Sequence, residues 1–405
     1  TINETPLMSS GAERYKVLAA GVLCMVVTIG IARFSYTSLL PIMQAETWLD
    51  DAAGGWLAAV NYMGYMAGAL LAASVSDLRT KDRLYRLYLV LAVVTTFAMA
   101  FTDNMIVWAV LRFISGLSSS GGMLIASGLI LNWLIRHHYR GELGIHFAGA
   151  GVGIIFASAV VELLVYLAQS WDLQWIWFAV FALLLSIPAW LWMPKPDIRP
   201  VTVSGAKLID RPPSQLFMAI MLVAYFCAGY GYVISATFIV DIVEGQAALK
   251  GMGQWVFMLI GLAVMPAAII WDRIARAVGY LRALMMAYGI QIIGIVLPAL
   301  TDSLLGVVLS ALFYGGTFIG CVSLVLTMAG RFYPTKPAKL MGKMTLAYGV
   351  AQIVAPALTG MLARENGNYD LGLFLAGGFV ALGTVLIIVL IQLEKKEQRQ
   401  VQEAV

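Results

Sequence analysis

This chain has little charge. Only 12% of its 405 residues are Asp, Glu, Lys or Arg, about half of the ~25% usual in a soluble domain, which excludes an ordinary water-soluble fold. Cysteine is scarcer still. Cys24, Cys227 and Cys321 are odd in number, lie inside apolar segments and lack metal-ligand spacing. They read as small packing residues and exclude a disulfide scaffold. Of the three histidines, His137 and His138 adjoin Arg136 in a solvated basic cluster, so no metal site is expected. No glycine loop ends in Lys-Ser or Lys-Thr, which argues against an ATP-driven pump. No catalytic constellation of a soluble enzyme is present, and neither enzymatic activity nor a cofactor is expected.

What the chain does have is apolar length: 61% of its residues are hydrophobic and its mean hydropathy is +0.85. A bilayer core needs ~20 apolar residues per helix. Twelve such segments, bounded by Gly, Pro, Asp and basic clusters, run over 16–43, 52–75, 84–101, 105–135, 141–168, 174–192, 215–243, 252–271, 281–300, 304–330, 340–362 and 370–392. The opening "TINETPLMSSGAERYK" is polar and the first apolar run is long, so no cleavable signal is expected. The net charge of +4 does not point to nucleic acid, because the basic residues sit in short loops rather than on a soluble face. All but four of the 26 Lys and Arg fall in the two termini or in the even-numbered inter-segment loops, which share a side with them. The positive-inside rule then places both termini in the cytoplasm of a cell inner membrane. Of the four exceptions, Lys250 and Arg364 lie on the other side, and Arg33 and Arg112 lie within segments.

Between the sixth and seventh segments, "MPKPDIRPVTVSGAKLIDRPPS" is the longest polar stretch and reads as a linker. The expected organisation is a six-helix bundle over 15–193, a cytoplasmic linker over 194–213, a second six-helix bundle over 214–393 and a cytoplasmic tail over 394–405. The halves resemble each other. "GIARFSYTSLL" in the first segment answers "GYGYVISATFI" in the seventh, with Gly30 and Gly229 at an offset of 199. Trp56 and Trp255 share that offset, and Asp77 is answered by Asp272. A parallel duplication with the binding site at its interface is a transporter plan.

These features resemble the major facilitator superfamily over essentially the whole length. Asp77 followed by Arg79, Lys81 and Arg83 is similar to its conserved loop motif, although Ala73 replaces the leading Gly. "RFISG", Arg112 to Gly116, is similar to its second motif; "GAGVG", 149–153, keeps the glycines of the antiporter motif but lacks its proline. "GIARFSYTSLLP" with "GYGYVISATF" resembles the YbfB/YjiJ-type branch. The resemblance implies an all-α membrane protein of twelve transmembrane helices in two six-helix pseudo-repeats. It also implies alternating access, gated by Asp77, Arg83 and Asp272.

The chemistry is expected at the buried charges. A charged side chain at the bilayer centre costs at least ~2.5–3.5 kcal/mol, so Arg33 calls for a reason. At 1.5 Å per residue, Arg33 lies ~14 Å, Arg112 ~10 Å and Glu162 ~9 Å from one surface. Intramembrane ionisable groups face an interior and usually pair. One network of Arg33, Arg112 and Glu162, with one positive charge in excess, is therefore expected. Arg33 and Arg112 would take an anion, and Glu162 with Arg112 would couple protons. Tyr36, Asn61, Tyr65, Tyr232, Tyr314 and Gln352 supply uncharged polar groups around that level. Trp171, Trp175, Trp177, Trp190 and Trp192 read as interfacial belts. Pro188, Pro266, Pro298 and Pro356 suggest kinks or discontinuities. The expected protein is a monomeric secondary active transporter, proton-coupled, for a small amphiphilic organic anion. A proton-linked efflux antiporter for drugs or hydrophobic metabolites is the alternative.

Overall fold

The computed structural model describes residues 11–75, 77–137, 139, 143–196, 210–332 and 337–404. Among them it has no strand and twelve helices long and apolar enough to cross a membrane. These are α1 (Gly11–Glu46), α2 (Asp51–Ser74), α3 (Leu78–Phe101), α4 (Met105–Leu134), α5 (Gly144–Tyr166) and α6 (Trp171–Trp192). The later six are α7 (Gln215–Glu244), α8 (Gly253–Val278), α9 (Tyr280–Leu300), α10 (Leu304–Ala329), α11 (Leu340–Asn366) and α12 (Asp370–Glu403). The expected linker falls largely outside the described residues, as does His138.

Side-chain bonds tie alternate loops together at one end of the bundle. Trp48 donates to the Asp103 carbonyl (2.6 Å), the Trp171 amide to Glu46 (2.7 Å) and Gln246 to the Pro298 carbonyl (2.7 Å). We call this the distal end and the other the linker end. The helices sort by burial. In α1, α4 and α7, 83%, 71% and 67% of the most apolar window is buried, against 39%, 33% and 33% in α3, α6 and α12. The first three line the centre. The last three turn their Leu, Val and Ile side chains outward, as a lipid-facing surface requires.

Two glycines, one in each half, show why the halves look alike in sequence. A Cβ on Gly116 of α4 would lie 1.8 Å from the Asn61 carbonyl oxygen on α2, and a Cβ on Gly315 of α10 would lie 2.6 Å from the Ile260 carbonyl oxygen on α8. Both positions of the second contact are the first pair shifted by 199. The same close crossing, allowed only without a side chain, recurs in each half. At the same offset, Thr37 of α1 donates to the Ala236 carbonyl of α7 at 2.6 Å. Repeat-equivalent residues touch each other only where they approach the axis relating the repeats.

The helix breaks are not where proline suggested. Helices continue through Pro188, Pro266, Pro298 and Pro356. Instead α1 widens into π-helical turns over Val26–Phe34 and α4 over Gly121–Ala126, while α10 breaks after Gly315. Wide turns of this kind cluster at functional sites, and the one in α1 ends on Arg33-Phe34. Beyond the membrane stretch, α12 runs on to Glu403. The segment first read as a tail is helical because Glu, Lys, Gln and Arg are good helix formers.

Asp77 opens α3 as its N-cap. Its carboxylate accepts from the Arg79 amide (3.3 Å), the Thr80 amide (3.1 Å) and the Thr80 hydroxyl (2.7 Å). The Thr80 hydroxyl and amide hold the Asp77 carboxyl below its ordinary value. A group depressed in the folded state stabilises above its unfolded pKa and loses that contribution as pH falls through the folded one. Asp77→Ala is expected to lower the melting temperature at neutral pH, while Asp77→Asn, also a good cap, is expected to retain most of it. The gap between the parent and the Ala variant should close in acid below the carboxylate range. Thermal melts of the three proteins at both pH values check this.

Candidate anion site

Arg33 and Arg112 are buried, with 6% and 2% of their surface exposed. The wide turns of α1 aim Arg33 into an aromatic cage. Its guanidinium carbon lies 4.4 Å from the ring centre of Tyr62, 4.9 Å from Tyr65 and 5.8 Å from both Tyr232 and Phe34. Arg112 sits over Tyr36 at 4.8 Å and Trp175 at 5.9 Å. The two cations are close enough to interact, with Tyr62 acting on both. Among the described residues, neither makes an ion pair with a carboxylate.

Three guanidinium N–H positions, Arg33 Nε and Nη2 and Arg112 Nε, are buried without a hydrogen-bond partner. The aromatic faces by themselves do not offset the burial of two cations. Each aromatic face contributes ~0.5–2 kcal/mol to a cation, whereas desolvating an ion costs several kcal/mol even after relaxation. Two neighbouring cations add mutual repulsion. An anion placed between them would satisfy open donors and offset the repulsion, and a planar guanidinium suits carboxylate or sulfonate oxygens.

The other candidate residues divide. Tyr36 donates to the Gly54 carbonyl at 2.6 Å and Tyr314 to the Tyr232 carbonyl at 2.5 Å. Both fix helices; Tyr36 also presents its ring to Arg112, whereas the Tyr314 ring packs on Phe318. Asn61 donates to the Arg112 carbonyl (2.9 Å) and to Ser115 (3.0 Å). It bolts α2 to α4, and both amide hydrogens are committed. Tyr65 and Tyr232 face Arg33 directly, and Gln352 is buried on α11. Asp272 pairs with Arg276 of its own helix at 2.6 Å, and Arg83 is exposed.

Two expectations need correction. Glu162 does not join the arginines. It is half-buried on the rim of α5, where it accepts from Trp255 Nε1 of α8 at 3.2 Å. Similar depth did not bring it onto the same face as Arg33 and Arg112. Trp175 is not a belt residue. It is fully buried with its indole N–H unpartnered, whereas Trp177, Trp190 and Trp192 are exposed. The sequence reading also missed Tyr62, the nearest ring to Arg33, although it stands beside Asn61 on the inward face of α2.

Beyond the site, the distal end carries ties within the first half (Gln44 to Asp51) and across the halves (the others). Tyr369 donates within hydrogen-bond distance of Asp51 Oδ1 on α2 (2.8 Å) and also contacts Asp241 Oδ2 on α7. Gln44 donates to Asp51 at 2.8 Å, Gln254 to the Ser38 carbonyl at 2.9 Å, and Arg364 pairs with Asp50 at 3.8 Å. The Asp51–Tyr369–Asp241 cluster went unread because its members are far apart in sequence. Burial and the two carboxylates push the Tyr369 phenol far above its ordinary pKa, so it stays a donor.

Twelve membrane-crossing helices, a repeat-related pair of halves and a buried polar centre between them define a multi-pass transporter. The chain belongs to the major facilitator family described as "Uncharacterised MFS-type transporter YbfB", whose model matches residues 25–388. It is 23% identical over 400 residues to a protein of Cupriavidus necator described as a probable sulfoacetate transporter, SauU, covering 90% of this chain and 91% of that one. Its fold is similar to the crystal structure of the nucleoside transporter NupG, with TM-score 0.72 and 13% identity over 94% of this chain and 99% of that one. The crystal structure of a NupG point mutant gives TM-score 0.73 at 14% identity over 93% and 98%.

Proposed function

We propose that this protein is a proton-coupled secondary transporter of a small amphiphilic organic anion, working by alternating access in a cell inner membrane with both termini cytoplasmic. The observation that carries this reading is the pair of buried guanidiniums with three open donors and no paired carboxylate among the described residues. Sulfoacetate, the solute in the name of the Cupriavidus necator relative, has two acidic groups, one for each guanidinium. The aromatic walls suit the apolar part of such a solute. The two six-helix bundles, 15–193 and 214–393, would rock about the Thr37–Ala236 contact, and the distal ties mark the state closed on that side.

Proton coupling is better placed at those ties than at Glu162. A phenol has one hydrogen, yet the Tyr369 oxygen lies within hydrogen-bond distance of carboxylates on both α2 and α7. A second hydrogen on Asp51 or Asp241 completes both contacts; without it two anions converge on one hydroxyl. Other charged groups nearby are Glu244, which accepts from the Gly251 and Gly253 amides at 2.9 Å, and the Asp50–Arg364 pair. Tyr36, under Arg112, is within electrostatic range of Asp241, so anion arrival and the distal proton can influence each other. Rising pH would strip the shared proton and open the distal end.

Reconstituted protein tests this with sulfoacetate and an imposed pH gradient. The parent is expected to accumulate the anion. Asp241→Asn is expected to lose gradient-driven accumulation yet keep exchange of anion for anion, while Glu162→Gln accumulates like the parent. Accumulation by Asp241→Asn at the parental level would remove the proton from the distal cluster. Failure of the parent to bind sulfoacetate and related carboxylates or sulfonates would remove the anion reading itself.

A further inference from the structure

A second site lies at the linker end, away from the arginines. The start of α1, the outer face of α3 and the end of α6 enclose a cavity of about 740 Å³ whose walls include Glu13, Lys16, Arg86, Trp190 and Lys195. Next to it, between α3 and α6, runs a groove of about 410 Å³ lined by Leu89, Val94, Leu183 and Ile187 among other apolar side chains. Trp190 and Leu191 line both. Apart from Ser186, the groove wall is apolar, so the lining changes from charged to apolar within about one helical turn, in the direction of the membrane centre.

We propose that this composite site holds an anionic phospholipid, its phosphate in the cavity and an acyl chain in the groove. The charges fit one phosphodiester. Arg86 is already committed: its Nη1 donates to the Trp190 carbonyl at 2.9 Å, it pairs with Asp82 at 3.3 Å and its guanidinium stacks 4.9 Å from the Trp190 ring. It braces α3 against α6 and lines the cavity. With Asp82 offsetting Arg86 and Glu13 offsetting one lysine, Lys16 and Lys195 leave one positive charge in excess. Both lysines are exposed on flexible stems that reach a headgroup at the interface. The groove supplies what a free phosphate would not use, an apolar trough starting where the headgroup ends. Trp190 and Trp192 are exposed beside it, as expected for aromatic side chains at headgroup level.

Native mass spectrometry of the full-length protein tests this with phosphatidylglycerol, phosphatidylcholine and inorganic phosphate as probes. The parent is expected to retain phosphatidylglycerol over phosphatidylcholine, and the Lys16→Ala/Lys195→Ala variant to lose about tenfold in that retention. Val94→Trp, which fills the groove from its exposed edge, is expected to lower retention with the melting temperature unchanged. Equal retention of the two lipids by the parent, or parental retention by the double lysine variant, would overturn the proposal. So would binding of inorganic phosphate with no effect of Val94→Trp, since the cavity would then be an anion site without a lipid.

Discussion

Arg33→Ala is expected to weaken sulfoacetate binding by about thirtyfold to several thousandfold, the ~2–5 kcal/mol lost when one member of a buried, hydrogen-bonded charge pair is removed. The same substitution should leave the ligand-free protein at least as stable as the parent. This second half separates a ligand-binding arginine from a structural one. Were Arg33 the partner of a buried carboxylate, truncation would orphan that charge and cost ~3–5 kcal/mol of stability. Among the described residues it has no such partner, only the rings of Tyr62, Tyr65, Tyr232 and Phe34. Removing it relieves the repulsion with Arg112 and an uncompensated desolvation. Arg33→Lys keeps the charge but loses the planar fork, so its affinity should fall between the two. Calorimetry for binding and thermal melts without ligand give the two readouts. A destabilised ligand-free Arg33→Ala with unchanged affinity would make Arg33 a packing residue.

Gly55→Leu is expected to abolish transport by keeping the distal end from closing, while the protein still inserts and purifies. Gly55 begins α2 at the distal end, and a Cβ there would lie 2.3 Å from the Pro356 carbonyl oxygen and 3.1 Å from Gly360 Cα on α11. Those neighbours belong to the other half, and they are backbone that cannot rotate aside. A full leucine side chain therefore opposes this state and is relieved if the halves part. Within-half crossings such as Gly116 against Asn61 offer no such relief, so Gly116→Leu should instead fail to fold. A Ser38→Cys reporter on α1 gives the readout. Ser38 is buried, and its carbonyl is held across the halves by Gln254. The native Cys24, Cys227 and Cys321 are all buried, which keeps background labelling low. Reaction with a membrane-impermeant maleimide from the distal side should rise from near zero in the parent to near completion in Gly55→Leu. Labelling that stays at the parental level would mean the interface absorbs the side chain without opening.

How the helices pack decided where the site is. The sequence ranked Arg33 and Arg112 as the groups to explain, because a charge inside an apolar run is costly whatever the fold. It grouped Glu162 with them on depth alone. Depth along a helix is legible from residue counting, but the direction a side chain faces depends on which neighbour the helix packs against. In α5 that neighbour is α8, which takes Glu162 toward Trp255. Trp175 and Trp177 show the same limit. Two residues apart near the distal end of α6, they are indistinguishable as belt candidates, yet one is fully buried under Arg112 and the other is 43% exposed.

By itself the sequence determined the twelve spans, because twenty consecutive apolar residues have few soluble alternatives. It also carried the repeat, because the glycines that let helices cross closely must recur wherever the crossing recurs: the offset of 199 relates Gly116 and Asn61 to Gly315 and Ile260. Only the tertiary structure decided what meets between the halves. The aromatic cage around Arg33 draws on α1, α2 and α7, and the distal cluster joins Asp51, Asp241 and Tyr369 across 318 residues of chain. No local pattern encodes such a meeting. It follows from how two six-helix halves dock, and that is set by small residues and backbone close approach along α2–α11 and α5–α8 rather than by the polar residues the docking brings together.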